Sequence, residues 1–423
     1  MKHFDPKTVR LASMGGVSGM VLATPAILKS GLMFTGPQAN IMIGLLPHLW
    51  AGLDVVSREL VGMIPSVARN ATMERAALNQ AVTYPISPTM GTHDNTPAMS
   101  VPEPEDHATE VGTVQITKSK NVNFGFVGEE QLALAAGVGD LTLQAQFFAE
   151  GLRTLVNEVE NDLFRAGVDA ASRAWGTPGT TPFSNDKVTD SAQMRRILNE
   201  NGAPITGRSL VLDSAAAAQV LANWNLTRVS EAGTSMTLRQ GEMLPLSGFS
   251  LKETGASVYH VKGTAAGATT NAAGYAVGAR NITLASAGTG TILKGDVITF
   301  AGDANKYVVT AGDTDVSNGG TIQIAQPGLR TAIPATATAI TVANSFSAAG
   351  LGFSADAMVL AARAPAIPKE GDAAAESYLM TDPRSGLTFD VRIYLGYKKV
   401  RYEVGLAWGW GVPNPAHLAL LLG

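Results

Sequence analysis

Cysteine is absent from this chain. Disulfide scaffolds, thiolate metal sites and cysteine nucleophiles are therefore excluded. Charge is scarce as well: 16% of residues are Asp, Glu, Lys or Arg, against ~25% in an average soluble domain. A surface this poor in charge belongs to an unusually compact protein or to one buried against other subunits, and the second reading is favoured. The net charge of −4 provides no basic excess for gripping nucleic acid. The six histidines, His3, His48, His93, His107, His260 and His417, lie scattered without ligand spacing.

Sequence signatures of catalysis are missing too. No G-x-S-x-G elbow is present, and "GVSGM" has the wrong spacing. "AGTGTILKGD" carries Gly288, Gly290 and Gly295 but lacks the Gly-Lys-Ser/Thr that cradles phosphate. "GDTDVSNGG" offers Asp313, Asp315 and Asn318 without a distal bidentate Glu, so it reads as a turn and not a calcium loop. Long apolar runs are also lacking. "IMIGLLPHLWAGLDVV" (41–56) is too short to span a bilayer and is interrupted by Pro47 and His48. The N-terminal "MKHFDPKTVRLASMGGVSGMVLATPA" superficially resembles a signal peptide. Its apolar stretch, Val17 to Ala23, is short and glycine-interrupted, and the expectation is against cleavage.

What is present can build a core. Apolar residues make up 45% of the 423, enough for two or three domains. Residues 1 to about 80 lean helical, with one or two short helices expected over Asp54–Ala81 and Pro65 starting or breaking one. Five prolines then fall between Pro85 and Pro104, so no regular core element fits there. Val111, Val114, Ile116, Val122, Phe124 and Phe126 predict two strands of a hairpin. The whole of 84–128 reads as an extended arm with an acidic bend at Glu103, Glu105, Asp106 and Glu110; so long a loop is usually functional or disordered.

The clearest element follows. Leu141, Ala145, Phe148, Leu152, Leu155, Val159, Leu163 and Ala166 form one continuous helical face, with Asp140 as N-cap. At ~1.5 Å per residue, a helix reaching Trp175 would run about 50 Å, the length of a structural spine. Its opposite face carries Glu150, Arg153, Asn157, Glu158, Asn161 and Asp162. "TDSAQMRRILNENG" predicts a short helix ending at Gly202, and "SLVL" a strand running into an Ala-rich helix. From Gly263 onward, five short strands are expected at 281–285, 296–302, 306–310, 321–325 and 339–342. Their spacing of about ten residues predicts a small barrel separate from the main sheet. A short strand near 357–362 comes next. Residues 387–410 alternate as long half-buried strands, with Trp408 and Trp410 as packing anchors and Lys398 and Lys399 on an exposed edge.

The order of apolar N-terminal arm, long hairpin, spine helix, α/β middle and β-rich end resembles the major capsid protein fold of tailed bacteriophages, the Hong Kong-phage type. "NITLASAGTGTILKGDVITFAG", "FSADAMVLAARAP" and "IYLGYKKVRYEVGLA" resemble the coat proteins of the short-tailed Salmonella-phage type, which carry a small β-barrel insertion. The resemblance implies an α+β chain. Residues 1–83 would be the N-terminal arm, 84–128 the extended E-loop, and 129–200 a peripheral domain with its spine helix at 140–175. Residues 201–262 and 343–423 would be the axial domain, with part of 363–400 returning to the peripheral domain. Residues 263–342 would be the inserted barrel. One departure stands out: "TTNAAGYAVGARN" is short and nearly uncharged where that group has a long charged loop bridging capsomers.

The implied function is self-assembly into an icosahedral shell around double-stranded DNA, without catalysis or cofactor. The implied partners are copies of itself in pentamers and hexamers, a separate scaffolding protein, a portal protein at one vertex, a decoration protein and packaged DNA bound without sequence specificity. No membrane is involved. The implied location is the virion, after assembly in the host cytoplasm. The acidic bend would meet Lys369 or Arg384 of an adjacent subunit. Two rivals are kept: an encapsulin-like compartment shell, and a secreted or surface β-rich adhesin.

Overall fold

A computed structural model describes Leu49, Trp50, Leu53, 61–77, 79–85, Pro97, 111–135, 140–186, 188–227, Gly241, 243–382 and 385–423. The chain divides into two units, Met1–Gly44 and Leu45–Gly423, and every described residue belongs to the second. In chain order the elements of the first half are β1 (Ala68–Ala76), β2 (Ala81–Pro85), β3 (Val111–Gln115), β4 (Lys118–Val127), α1 (Gly128–Ala135), α2 (Asp140–Ala170), β5 (Arg173–Trp175), α3 (Thr189–Glu200), β6 (Arg208–Asp213), α4 (Ser214–Ala222) and α5 (Trp224–Thr227). Then come β7 (Ser250–Thr254), β8 (Tyr259–His260), β9 (Asn281–Thr283), β10 (Val297–Phe300), β11 (Lys306–Ala311), β12 (Thr321–Ile324), β13 (Ile340–Val342), β14 (Phe346–Ser354), β15 (Val359–Pro365), β16 (Ala374–Thr381), β17 (Thr388–Gly396), β18 (Lys399–Gly411) and β19 (Leu418–Leu422). The architecture is mixed α+β.

A six-stranded sheet forms around β18. Along one edge β18 pairs with β4, Lys399–Trp408 against Val127–Lys118. Along the other it pairs first with β17 and then with β15. β16 continues outward from β17, and β1 lies parallel to β15. The long helix α2 packs on one face of this sheet, burying Phe148, Leu152, Leu155, Val159, Leu163 and Phe164.

The expected pairing of 111–116 with 118–127 is not formed. β3 pairs with β2 and β4 with β18. Only Ile116 and Thr117 separate β3 from β4, a length that would suit a hairpin, but Ile116 is buried beside Ala361 and Ala407 and its N–H continues the β2 ladder to the Gln80 carbonyl. The ten residues of β4 therefore belong to the sheet and not to a free arm. The helix expected to reach Trp175 stops at Ala170. Ser172 donates N–H and hydroxyl to the Leu418 carbonyl, and Arg173–Trp175 turns into a strand parallel to β19. Helix was also expected over part of 68–76, where β1 forms, because β15 offers it a parallel ladder. Pro65 sits in a turn closed by Ser66 N–H to the Met63 carbonyl.

β18 is flanked on both edges, and Lys398 and Lys399 mark its turn from β17, not a sheet edge. β17 is not half-buried at its start: Thr388, Asp390 and Arg392 are buried along with Phe389, Val391 and Ile393. The strand expected near 357–362 is β15, and the glycine-rich stretch before it forms the additional, buried β14.

The second sheet runs β13-β10-β11-β5-β19-β14-β6-β7. α3 and α4 bury Met194, Ile197, Leu198, Ala216 and Val220 against Leu210, Leu212, Phe249 and Leu421. Asp213 caps α4 by accepting the Ala216 N–H. All five strands expected within 263–342 are present. β13, β10, β11, β12 and β9 pair in succession, and Thr269 and Thr270 bridge to Ala339 and Leu284, next to the two outermost strands. Ile282, Ile298, Phe300, Tyr307, Val309, Ile322 and Ile324 fill the interior. The unit is not separate from the main sheet: Lys306 and Tyr307 of β11 pair with Ala174 and Arg173 of β5.

Candidate functional site

The sequence "GLAWGWG" in β18 alternates small and large residues, and alternation in a strand separates two faces. Gly405, Ala407, Gly409 and Gly411 form one face; Leu406, Trp408 and Trp410 form the other. The small face is the seat of the β2–β3 ladder. A Cβ on Gly409 would overlap the Gln115 carbonyl oxygen, and one on Gly411 would lie 2.7 Å from Val114 Cγ2. This close approach buries Val82, Val114 and Ile116 against Ala76, Ala361 and Ala407, with Tyr84 packed alongside. Within the ladder Tyr84 faces Gly112, and its ring occupies the space a Gly112 side chain would need. Residues 86–110 thus leave and return through a fixed base.

The large face meets α2. Trp408 is fully buried and its Nε1 donates to Asp162 Oδ2 at 2.9 Å. Lys118 Nζ donates to both Asp162 oxygens at 2.8 Å and lies 5.9 Å from the Trp408 ring centroid and 5.4 Å from that of Trp410. Lys120 pairs with Glu158. Further along, Phe124, Phe126, Phe147, Phe148 and Tyr402 form an aromatic cluster, with Phe124 stacked on Tyr402 at 5.4 Å. The polar face expected on the helix is therefore partly a contact face: Glu158 and Asp162 serve the sheet.

Glu160 was not singled out in the sequence, and it is 2% exposed. Its Oε1 accepts from Gly62 N (2.7 Å), Met63 N (2.6 Å) and Thr254 Oγ1 (2.7 Å), and its Oε2 from Ile64 N (3.0 Å). Burial pushes its carboxyl above the ordinary range, against the pull of these four bonds. Lys252, whose Nζ donates to Ser66 Oγ at 2.8 Å, is lowered by burial and by Arg69. One carboxylate on the long helix thus ties down the turn where the chain enters the described fold.

The 263–342 unit is attached at two places. At its neck, β8 and β14 pair through His260–Phe346, so exit and return are neighbours. Asp296, fully buried, accepts from Gly263 N (3.1 Å), Leu293 N (2.7 Å) and, at 2.8 Å, faces His260 Nε2. At its flank, buried Arg173 bonds to Glu200 Oε2 (2.7 Å), Asn305 Oδ1 (2.9 Å), the Ile197 carbonyl (3.2 Å) and Asn201 Oδ1 (3.0 Å). Lys306 donates to the Gly176 carbonyl, and burial lowers its pKa.

Ser354, Asp356 and His417 assemble without a nucleophile–base pair. Both Ser354 and His417 bond to the Asp356 carboxylate, which stands between them. Among the described residues no group of three His, Asp or Glu side chains is placed to hold a metal. Asp313 and Asp315 instead accept backbone N–H groups two residues on, as turn residues do.

Of the residues expected to make subunit contacts, Glu103, Glu105, Asp106, Glu110 and Arg384 lie outside the described residues. Lys369 is exposed, in the loop between β15 and β16. The small-residue face of β18 was missed, although its sequence signal was legible: three glycines and an alanine at every second position.

No family model and no curated protein matches the chain. Solved structures do. One titled "Capsid structure of the Cyanophage P-SCSP1u" is 11% identical, covers 84% of this chain and 86% of its own, and has a TM-score of 0.43. "Asymmetric unit of bacteriophage PhiM1 mature capsid" is 8% identical over 85% and 86%, with a TM-score of 0.40. "Crystal structure of virus-like particle from Pyrococcus furiosus" is 10% identical over 89% and 98%, with a TM-score of 0.38.

Proposed function

We propose that this chain is a shell subunit, the major capsid protein of a tailed-phage-type particle, acting by self-assembly and not by catalysis. The observation that carries the reading is the arm base: the β2–β3 ladder locked onto the small-residue face of β18, with residues 86–110 emerging from it. A fixed base suits a long segment to reaching a neighbouring copy, and connections of this length are usually functional or disordered. The low charge, 16% of residues, fits a surface that is covered by other copies.

In this reading the sheet around β18 with α2 is the peripheral domain and the second sheet is the axial domain. The 263–342 unit is the inserted barrel, its ring of pairings closed through Thr269 and Thr270. The acidic bend, Glu103, Glu105, Asp106 and Glu110, contacts Lys369 or Arg384 of the next subunit. Pentamers and hexamers, a separate scaffold, a portal, a decoration protein, double-stranded DNA and a virion location belong to the same proposal. Many weak contacts suffice, because repetition multiplies them.

Negative-stain microscopy of the purified protein, with and without co-expressed scaffold, tests the reading. Closed shells are expected, and deletion of 95–108 should abolish them while leaving folded monomer. Intact shells after that deletion would remove the role given to the arm, and monomers under every condition would overturn the shell reading. DNA inside native particles marks a phage shell; protein cargo would mark a cellular compartment instead.

A further inference from the structure

Among the described residues three strands of the six-stranded sheet pair on one side only: β1, whose partner is β15, β4, whose partner is β18, and β16, whose partner is β17. An open edge presents unpaired N–H and C=O groups, and proteins normally blunt it with proline, bulges or outward lysine. β4 has neither proline nor bulge, and it holds register with β18 over ten residue pairs. Its two lysines, Lys118 and Lys120, are drawn onto Asp162 and Glu158 of α2. Ser119, Asn121, Asn123, Gly125 and Val127 are exposed. β16 also lacks proline and lysine, its ladder with β17 is regular from Glu376 to Thr381 after an irregularity between Ala374 and Glu376, and Ala375 and Ser377 are exposed on it.

We infer that β4 of one copy pairs with β16 of a second copy, extending the sheet across the subunit boundary. The inference rests on the shell reading and names one of its contacts. Strand direction supports it. β4 and β17 both run antiparallel to β18, and β16 runs antiparallel to β17. β4 and β16 therefore run in opposite directions, and placing β16 of a like-oriented copy beside β4 continues the antiparallel alternation. Pairing β4 with β4 would leave both β16 edges open. Pairing β4 with β16 is head-to-tail, so it uses both of these edges in every copy, and it makes a ring when the rotation between copies closes.

The absence of cysteine makes the test clean, because every engineered thiol is the only one on its strand. Asn123→Cys and Ser377→Cys are combined in the full chain, with Asn121→Cys and Ala375→Cys covering the neighbouring registers. The assembled protein is oxidised and run on a denaturing gel without reductant. Facing positions in paired strands lie ~4.5–5.5 Å apart, within disulfide reach. At least one double variant is expected to give a ladder of dimer, trimer and higher species, lost on reduction, while each single variant stays monomeric. A covalent dimer from Asn123→Cys alone would show β4 pairing with itself and overturn the inference. Intact shells with no ladder from any of the four pairs would overturn it while leaving the shell reading standing. A ladder without closed shells would support the pairing and count against the shell.

Discussion

The carbonyl oxygen of Gln115 lies where a side chain on Gly409 would begin. That contact fixes the distance between the arm base and the sheet, so it sets how rigidly residues 86–110 are held at their ends.

Gly409→Ala is expected to push the β2–β3 ladder off β18. Overpacking of this kind costs about 1–3 kcal/mol, and Gly409→Val should cost more. The obstacle is backbone, which cannot rotate away as a side chain can. Thermal unfolding should show the loss, and limited proteolysis should show faster cleavage within 86–110. Gly128→Ala is the matched control: nothing lies within 4 Å of its added Cβ, and the position opens helix α1, where alanine is favoured. Equal effects from Gly409→Ala and Gly128→Ala would remove the seat from the account.

Trp408→Phe keeps most of the buried ring but deletes the donor to Asp162 Oδ2. A cost of about 1–2 kcal/mol is expected from the lost bond and the smaller ring. Asp162→Asn should cost at least as much, because Lys118 beneath two indoles then keeps only Glu158, at 3.6 Å, as an acidic partner. The two losses should not add in the double variant, since both break one network. Urea unfolding of the four proteins measures this directly, and strict additivity would mean that Trp408 and Asp162 act independently.

Much of this arrangement was legible in the residues. The apolar face from Phe148 to Leu163 announced α2, and the alternation from Thr388 to Trp410 announced β17 and β18. The five strands within 263–342 were placed by their turn residues. Partners were harder. Val111 to Phe126 has strand character throughout, but strand character does not say which neighbour completes the ladder, and β3 and β4 took different ones. β1 and β5 become strands because β15, and β19 together with β11, offer ladders across long sequence separations. Glu160 looked like one more acid on a helix; its burial depends on three amides about a hundred residues earlier.

Glu160 makes stability depend on pH in a defined direction. Burial raises its carboxyl above the ordinary range, so the folded chain holds this proton more tightly than the unfolded one. Between the ordinary carboxylate pKa and the raised value, folding takes up a proton, and stability from this group falls as pH rises. Glu160→Gln has no proton to take up. The difference in unfolding free energy should therefore move in favour of the native sequence as pH falls from ~7 toward ~4.5. Urea unfolding at several pH values reads it, and a difference moving the other way would mean that the four bonds outweigh burial. Glu160→Ala, which strands three backbone N–H groups and the Thr254 hydroxyl, should cost about 3 kcal/mol or more at any pH.

The 263–342 unit provides the last test, because its two attachments make opposite predictions. The β8–β14 pairing at the neck brings exit and return together, so replacing 263–343 with a short linker should leave a folded protein. The flank predicts a loss. Excision removes β11 from β5 and Asn305 from the Arg173 guanidinium, which is 2% exposed in the intact chain. The excised protein should fold with a lowered unfolding midpoint. In the intact chain Arg173→Met removes the partner of Asn305, Asn201 and the Ile197 carbonyl and leaves Glu200 to Arg196 and solvent, a cost of about 3 kcal/mol. After excision Arg173 is open to solvent and has already lost Asn305, so the same substitution should cost less than half as much. The coupling between excision and Arg173→Met is the quantity to measure, by a double-mutant cycle on unfolding free energy. Zero coupling would mean that the unit hangs from its neck alone and that Arg173 serves only the α3 side of the sheet.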